Sequence, residues 1–227
     1  MKKTIIFGNN NLAEMIYLES QKFNEQHFAI EAFCVDGEYV NDNRFYDKPL
    51  LSLGEALIRY PPEEFNMLST VVASNNGLRK KTEVFDRLSS LGYKMTNYIS
   101  PLADVSSDVC IGENNIVLSF VRVGLDVKLG NSNIFWHSAL VDHSAHVGNG
   151  NFFAGGCKTA GFVSIGDSCW IGLNATIIQR ISISDETLVG AGSVIIRDTE
   201  PFTTYVGNPA RAIRTHKDTG IVLEAQL

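Results

Sequence analysis

Apolar residues recur at every sixth position between residues 99 and 200. The series starts at Ile99 and Val105 and runs without a slip to Ile195, with Thr159 as its polar member. The position four residues after each of these is mostly small or β-branched. No helix has a period of six, and a strand has a period of two, so the pattern requires a bend at every sixth residue. A short fixed period of this kind predicts a parallel β-helix.

A longer repeat, three hexads in length, lies on top of the period of six. Segments that begin with an apolar residue and a glycine recur at Ile111, Leu129, Val147 and Ile165. Three hexads make one coil, so the predicted shape is a triangular prism. Asn115, Asn133 and Asn151 then share one corner, where amides can hydrogen-bond along the column or adopt a left-handed backbone. The glycines suit the same bends. An ordinary β-sandwich is the alternative, but its strands are spaced about 8–12 residues apart.

The first 98 residues have a different pattern. Thr4–Phe7 is predicted to be a buried strand, residues 12–23 a helix, and residues 28–35 a second strand that ends at Asp36. Strand, turn, helix, strand and acid follow one another in this order in nucleotide-binding βαβ units. The glycine fingerprint is absent, because three asparagines follow Gly8. Asparagine accepts left-handed turns and its amide can donate to a phosphate. Nucleotide binding and a plain tight turn therefore both remain open.

Three domains follow from these patterns. Residues 1–98 form an α/β domain with a parallel sheet, because strands at 69–73 and helices at 52–60 and 79–91 continue the alternation. Ser52 and Glu55 have the spacing of a capping box. Residues 99–200 form the prism. Pro201 ends the repeat, and residues 201–227 are predicted to be a cap and tail, because the open end of a β-helix has unpaired edges.

Composition favours a soluble cytoplasmic protein. The chain is 44% hydrophobic and 19% charged, which suits a packed core, and its net charge of −6 argues against a nucleic-acid partner. The four cysteines lack CxxC spacing, and Cys157 and Cys169 occupy the small position of their hexads, as buried thiols do. No stretch approaches the length of a membrane span or a signal-peptide core. We therefore expect a reduced compartment and no membrane association.

Histidines are the candidate reactive side chains of the prism. His137 and His143 lie in consecutive hexads, and one full coil further on the chain has Gly155 and Gly161. Each histidine thus has a neighbour in the next coil that lacks a side chain, which leaves room for a ligand. A solvated or structural histidine is the simpler alternative. No metal is predicted, because the spacing is not HxxxH and no carboxylate cluster accompanies it.

Several motifs resemble one known family over nearly the whole chain. The matching stretches are residues 5–8, 33–36, 72–76, 79–81, 141–143, 160–166 and 205–210. They are similar to those of bacterial sugar acyltransferases with a left-handed β-helix, which include bacillosamine-pathway N-acetyltransferases (PglD-like) and sialic acid O-acetyltransferases (NeuD-like). The resemblance implies the left hand of the coil and acetyl-CoA as acyl donor. It also implies a homotrimer with the cofactor between subunits, and a nucleotide-linked amino sugar bound by the first domain.

The resemblance also implies roles for individual residues. His143 matches the catalytic base, and Ser144 stands where the family often has an acid that orients it. Phe152 replaces a second histidine near the acetyl group, and Asp142 is expected to point away from His143, as adjacent strand residues do. The residues that would contact acetyl-CoA are Phe152, Gly161, Leu173 and Ala191. The residues that would bind the nucleotide sugar are Asn10, Asn11, Leu12, Asp36, Gly37 and Asn76.

The function predicted from these matches is acetyl-CoA-dependent N-acetylation of a nucleotide-linked 4-amino-4,6-dideoxy sugar for a surface glycan. An amine that is protonated near neutral pH needs a base, and imidazole accepts protons in that range. Two alternatives stay open: O-acetylation of a sugar, and a β-helix scaffold without catalysis. An acyl group longer than acetyl is also compatible with the sequence.

Overall fold

The computed structural model describes residues 2–23, 27–72 and 77–221 and divides into two units. The first comprises Met1–Val71 and Glu83–Tyr98, and the second comprises Val72–Thr82 and Ile99–Leu227. The first unit ends at Tyr98, and the second unit continues from Ile99. Residues 72–82 differ, because the sequence assigned them to the first domain. In the structure, Lys81 in this segment donates from Nζ to the carbonyl oxygen of Asn151, 2.8 Å away.

The first unit contains a six-stranded sheet with the order β3-β4-β2-β1-β5-β6. Its strands are β1 Thr4–Phe7, β2 Ile30–Val35, β3 Arg44–Phe45, β4 Lys48–Ser52, β5 Asn66–Ser69 and β6 Lys94–Met95. Its helices are α1 Asn11–Lys22, α2 Leu53–Arg59 and α3 Arg79–Ser90, and the first turn of α3 belongs to the second unit. The capping box predicted at Ser52 and Glu55 is present at the start of α2. Strands β2 and β5 both run parallel to β1.

Two details of the first sheet differ from the sequence prediction. Strands β3 and β4, which pair antiparallel as a short hairpin, were not among the elements predicted from the sequence. Lysine and proline begin β4, so it lacks the β-branched run that marks a strand. The third predicted strand, at 69–73, lies earlier at Asn66–Ser69. The apolar residues Val71 and Val72 that suggested the later position follow the strand.

The carboxyl ends of β1 and β5 meet at the point where the strand order reverses. Ligands of open α/β sheets bind at such a point. Gly8 follows β1 with a φ of +127°, and a Cβ there would lie 2.2 Å from Oγ1 of Thr70, which follows β5. Glycine is therefore required at this turn by its backbone angle and by the close approach of Thr70.

The second unit is a three-sided parallel β-helix. Its strands are β7 Tyr98–Ile99, β8 Asp104–Val105, β9 Cys110–Ile111, β10 Ile116–Val117, β11 Arg122–Val123, β12 Lys128–Leu129, β13 Ile134–Phe135, β14 Leu140–Val141, β15 His146–Val147, β16 Phe152–Phe153, β17 Lys158–Thr159, β18 Ser164–Ile165, β19 Trp170–Ile171, β20 Thr176–Ile177, β21 Ser182–Ile183, β22 Leu188–Val189 and β23 Val194–Ile195. Every third strand pairs in parallel, as in β11 with β14 and β14 with β17. Each pairing joins residues that are three hexads apart, as the repeat predicts.

The prism core consists of the apolar series read from the sequence. The buried cluster contains the hexad residues from Val117 to Ile195 together with the small residues between them. Cys157 and Cys169 are buried and unpaired, as predicted. Burial raises the pKa of each of these two thiols to about 12, so they remain protonated and act as small apolar side chains.

One corner of the prism, which we call the asparagine corner, consists of Asn115, Asn133 and Asn151. Oδ1 of Asn115 accepts from the backbone N–H of Asn133 at 3.0 Å, and Oδ1 of Asn133 accepts from that of Asn151 at 2.9 Å. All three residues are fully buried. The predicted amide column is therefore present. These side chains bond successive coils to one another.

The left-handed backbone positions differ from the expectation by one residue. Asn114 and Ser132, each just before a column asparagine, have φ values of 57° and 58°. The repeated glycines also have another role than the predicted bends, because Gly112 is not left-handed. A Cβ at Gly112 would lie 2.6 Å from the carbonyl oxygen of Gly130 on the next coil. Glycine at this position lets successive coils stack closely.

The end of the prism is completed by a hairpin. Strand β24, Thr203–Gly207, pairs in parallel with β22, and β25, Ala210–Thr215, turns back antiparallel to β24. Among the described residues, none of the helices has the length and apolar character needed to cross a bilayer.

Candidate functional site

His143 lies at the corner between β14 and β15, and its side chain is exposed. Strand β14 ends at Val141, and Asp142 lies between the strand and the turn at His143 and Ser144, with its N–H donating to the Thr159 carbonyl oxygen at 3.1 Å. Oδ1 of Asp142 accepts from the backbone N–H of His143 at 2.8 Å. This contact is with the backbone of His143 and not with its imidazole, so the expectation that the Asp142 side chain points away from the His143 side chain stays a prediction.

The imidazole of His143 lies in a slot formed by the next coil. A Cβ added to Gly161 would lie 2.6 Å from Nε2 of His143, so only glycine leaves space for the ring there. The Phe162 ring stands perpendicular to the imidazole, with centroids 5.0 Å apart and an interplanar angle of 87°. We call the group of His143, Ser144, Gly161 and Phe162 the histidine corner.

Ser144 makes at most a weak contact with the imidazole. Its Oγ lies 3.5 Å from Nδ1 of His143, beyond the usual range of an O–H hydrogen bond. Ser144 has a φ of 55° and occupies a left-handed corner position. The histidine corner thus presents an exposed proton acceptor that is held mainly by packing. Such a group can remove a proton from a bound amine or hydroxyl.

The residues predicted to contact acetyl-CoA lie in different surroundings. Leu173 is 56% exposed at a prism corner, and its carbonyl oxygen accepts from the N–H of Gly192 at 2.7 Å. Ala191 is also exposed, one coil further along the same corner. Phe152 is only 6% exposed and stacks on Trp170, with ring centroids 4.1 Å apart. The structure thus places Phe152 in an aromatic stack on another sheet from β14 and β15, and its contact with the cofactor stays a prediction.

In the first unit, the predicted nucleotide residues surround the carboxyl end of β1. Asn10 caps α1, since its Oδ1 accepts from the N–H of Ala13 at 3.0 Å, and its Nδ2 donates to the Thr70 carbonyl oxygen at 2.8 Å. Asn11 is exposed at the first turn of α1, whereas Leu12 is buried beneath it. Both polar atoms of Asn10 are therefore used within the fold.

Asp36 and Gly37 follow β2 on the neighbouring strand. Arg87 binds both carboxylate oxygens of Asp36 at 3.0 Å, and its guanidinium carbon lies 5.3 Å from the centroid of the Phe7 ring. Gly37 is exposed. Because β1 and β2 are neighbouring parallel strands, Asp36 and the β1 turn lie at the same edge of the sheet. Asn76 lies outside the described residues.

The sequence analysis did not single out Arg87, Phe162 or Arg180. Arg180 places its guanidinium carbon 4.8 Å from the Phe162 ring centroid. A signal for the last two was available, because both fill a slot of the repeat that elsewhere mostly holds small polar residues or glycine. Arg87 gave no such signal, because it lies on an ordinary amphipathic helix. Among the described residues, no three histidine, cysteine, aspartate or glutamate side chains lie close enough to hold a metal ion.

Comparisons with known proteins identify the class of fold. No protein-family profile and no curated protein sequence matches the chain. Among solved structures, PerB of Caulobacter crescentus, in complex with CoA and GDP-perosamine, has 23% identity and a TM-score of 0.81, over 94% of this chain and 98% of that chain. The acetyltransferase domain of PglB from Neisseria gonorrhoeae, in complex with acetyl coenzyme A, has 22% identity and a TM-score of 0.82, over 93% and 99%.

A third similar structure is a variant of the Caulobacter crescentus GDP-perosamine N-acetyltransferase in which a histidine is replaced by alanine, with CoA and GDP-perosamine bound. It has 22% identity and a TM-score of 0.83, over 94% of this chain and 98% of that chain. The chain therefore has the fold of these proteins, an α/β domain followed by a left-handed parallel β-helix. This result confirms the fold class and the hand of the coil expected from the sequence resemblance.

Proposed function

We propose that the protein is an acetyl-CoA-dependent N-acetyltransferase acting on a nucleotide-linked 4-amino-4,6-dideoxy sugar, with His143 as general base. The observation that carries the proposal is the exposed imidazole in its glycine-bounded slot at the prism corner. The shared fold supports it, because two of the similar structures contain CoA together with GDP-perosamine.

The reaction needs one base and no covalent intermediate on the protein. His143 accepts a proton from the sugar ammonium, and the freed amine attacks the thioester carbonyl carbon. A C–N bond forms, the C–S bond breaks, and coenzyme A leaves as a thiolate. The nitrogen, cationic after attack, loses its second proton, and that proton balances the one taken up by the thiolate. A positioned base of this kind contributes about 10²–10⁴-fold to the rate.

The first unit would hold the nucleotide. Phosphate oxygens suit the N-terminus of α1 at Asn11, because the backbone N–H groups and the helix dipole favour an anion there. The Asp36 carboxylate at the end of β2 suits ribose hydroxyls. Asn10 supports this site through the helix cap and its bond to Thr70. The proposed protein works as a cytoplasmic homotrimer with the cofactor between subunits, in the synthesis of a surface glycan.

A panel of acceptors tests the proposal. Purified protein is given acetyl-CoA and UDP-, dTDP- or GDP-linked 4-amino-6-deoxy sugars, each beside its 4-hydroxy counterpart, and thiol release is measured. We expect release with an amino sugar only, and an acetylated amine by mass spectrometry. Release with the hydroxy sugars would instead indicate an O-acetyltransferase. If no thiol is released with any acceptor, even with longer acyl-CoA donors, the result would contradict catalysis and favour a scaffold.

A further inference from the structure

The corner column that contains Ser144 has large side chains in place of a small polar one in the next two coils. Ser144 is followed at steps of one coil by Phe162 and Arg180, and all three have left-handed backbones with φ between 55° and 60°. Most left-handed corner positions without glycine are instead asparagine, aspartate or serine. An aromatic residue in this conformation is unfavourable, and strained residues cluster at functional sites.

Phe162 contacts both the imidazole of His143 and the guanidinium of Arg180. The imidazole meets the perpendicular Phe162 ring with centroids 5.0 Å apart, and the Arg180 guanidinium lies 4.8 Å from the Phe162 centroid. The backbone fixes the spacing of these coils. The N–H of Phe162 donates to the His143 carbonyl oxygen at 3.0 Å, and that of Arg180 donates to Gly161 at 3.2 Å.

Hydrogen bonding at the histidine corner leaves the imidazole orientation weakly determined. Ser144 Oγ is 3.5 Å from Nδ1, and the Asp142 carboxylate accepts from the His143 backbone N–H. A general base must nevertheless be held within a narrow range of positions, because a displacement of about 1 Å can cost about 10²-fold in rate. Among the residues that the structure describes, Gly161 and Phe162 pack against the ring and can hold it.

We propose that Phe162 is the positioning residue of the base and that Arg180 holds the Phe162 ring in place by a cation–π contact. An aromatic ring would thus do here what an acidic neighbour would otherwise do through a hydrogen bond. This role rests on the proposed acetyl transfer and adds a second requirement to it, namely that turnover depends on an aromatic side chain at position 162.

The test compares Phe162→Leu with the matched control Phe120→Leu. Phe120 is also aromatic, is 66% exposed and has a left-handed φ of 64°, while Phe162 is 49% exposed with a φ of 60°. Both variants keep a Cβ in the left-handed conformation, so the backbone strain is retained in each, and both remove an exposed aromatic ring. Phe162→Tyr keeps an aromatic ring and serves as the conservative rescue.

Two readouts are used. The Cε1–H resonance of His143, assigned with His143→Gln in protein labelled at histidine, reports the ring current of Phe162 without any need for catalysis. We expect it to move in Phe162→Leu, but not in Phe120→Leu or Phe162→Tyr. Phe162→Leu should also lower kcat about 10–100-fold with unchanged KM values, while Phe162→Tyr keeps most of the activity. Arg180→Gln should lower kcat by a smaller factor.

The outcomes separate this proposal from the proposed function. An unmoved His143 resonance in Phe162→Leu, or an equal loss of kcat in Phe120→Leu, would overturn the positioning role alone. The positioning role would also be overturned if the wild-type protein is active and Phe162→Leu has the same kcat. If the wild-type protein transfers no acyl group to any acceptor, the proposed function fails and the positioning role fails with it.

Discussion

The asparagine corner and the histidine corner follow the same repeat but use their polar residues differently. At the asparagine corner, amides are fully buried and bond each coil to the next at 2.9–3.0 Å. At the histidine corner, the imidazole is exposed and its contact with the Ser144 hydroxyl spans 3.5 Å. The repeat therefore determines where polar side chains lie, while burial and pairing determine whether they stabilise the fold or remain available for chemistry.

The largest expected effect separates the two corners by activity. His143→Ala should lower turnover about 10²–10⁴-fold, because the general base is lost. Thermal stability should hardly change, because the side chain is exposed. The control is His146→Ala, which removes an exposed histidine three residues away on β15. A loss of less than tenfold in His143→Ala, or an equal loss in the control, would remove His143 from this role.

The next effect separates the corners by stability. Asn133→Ala should lower the free energy of unfolding by about 2–4 kcal/mol, because it leaves the buried N–H of Asn151 without its acceptor and removes the amide donor to the Gly148 carbonyl oxygen. Asn149→Ala is the control. Its side chain also bonds one coil to the next, accepting from the N–H of Asn131 at 2.8 Å, but it is partly exposed. Urea unfolding should show a smaller loss in the control, and equal losses would contradict the importance of burial.

Lys81 is a charged exception beside the asparagine corner. It is buried, and desolvation lowers its pKa from 10.5 to about 7. A lowered lysine pKa costs stability most at and below pH 7, and the cost disappears as pH rises towards the unfolded value. Lys81→Met should therefore stabilise the protein by about 1–4 kcal/mol at pH 7, and less at pH 10. Thermal unfolding at both pH values checks this.

The control for Lys81 is Lys128→Met, because Lys128 is exposed on β12. It should leave the melting temperature unchanged at both pH values. A gain in Lys81→Met that is equal at pH 7 and pH 10 would show that lysine desolvation is not the cause.

The smallest expected effect concerns the first unit. Asp36→Asn should raise KM for the nucleotide sugar about five- to tenfold. The substitution removes the charge-assisted hydrogen bond that the carboxylate accepts from a ribose hydroxyl, and it weakens the interaction with Arg87. KM for acetyl-CoA should not change. Asp42→Asn alters an exposed acid in the same unit and should change neither value. Equal shifts of both KM values in Asp36→Asn would contradict nucleotide binding at this edge.

Periodicity predicted the prism because it reports which side chains point inward. The buried series and the amide column of Asn115, Asn133 and Asn151 follow from that alone. It did not report how closely successive coils approach or how the turns direct their side chains, so the reason for Gly112 and the edge-to-face contact of Phe162 with His143 were missed. These contacts depend on which side chain occupies the equivalent position of the next coil and on how the turn directs it.

The candidate site was only partly predictable for the same reason. His143 could be found from the resemblance, but the contact of the Asp142 carboxylate with the His143 backbone could not, because the repeat does not specify the path of the turn. In the first unit, the acid at Asp36 was predicted from the order of elements. Its partner Arg87 was not, because the two are 51 residues apart in sequence.

The most direct test measures turnover and thermal unfolding on the same preparations of His143→Ala and Asn133→Ala, with the acceptor found in the panel. We expect the two variants to show opposite effects on turnover and on melting temperature. His143→Ala keeps its melting temperature and loses turnover, whereas Asn133→Ala melts lower and keeps turnover per folded molecule. If turnover survives in His143→Ala, or falls only where the melting temperature falls, the chemistry does not reside at the histidine corner.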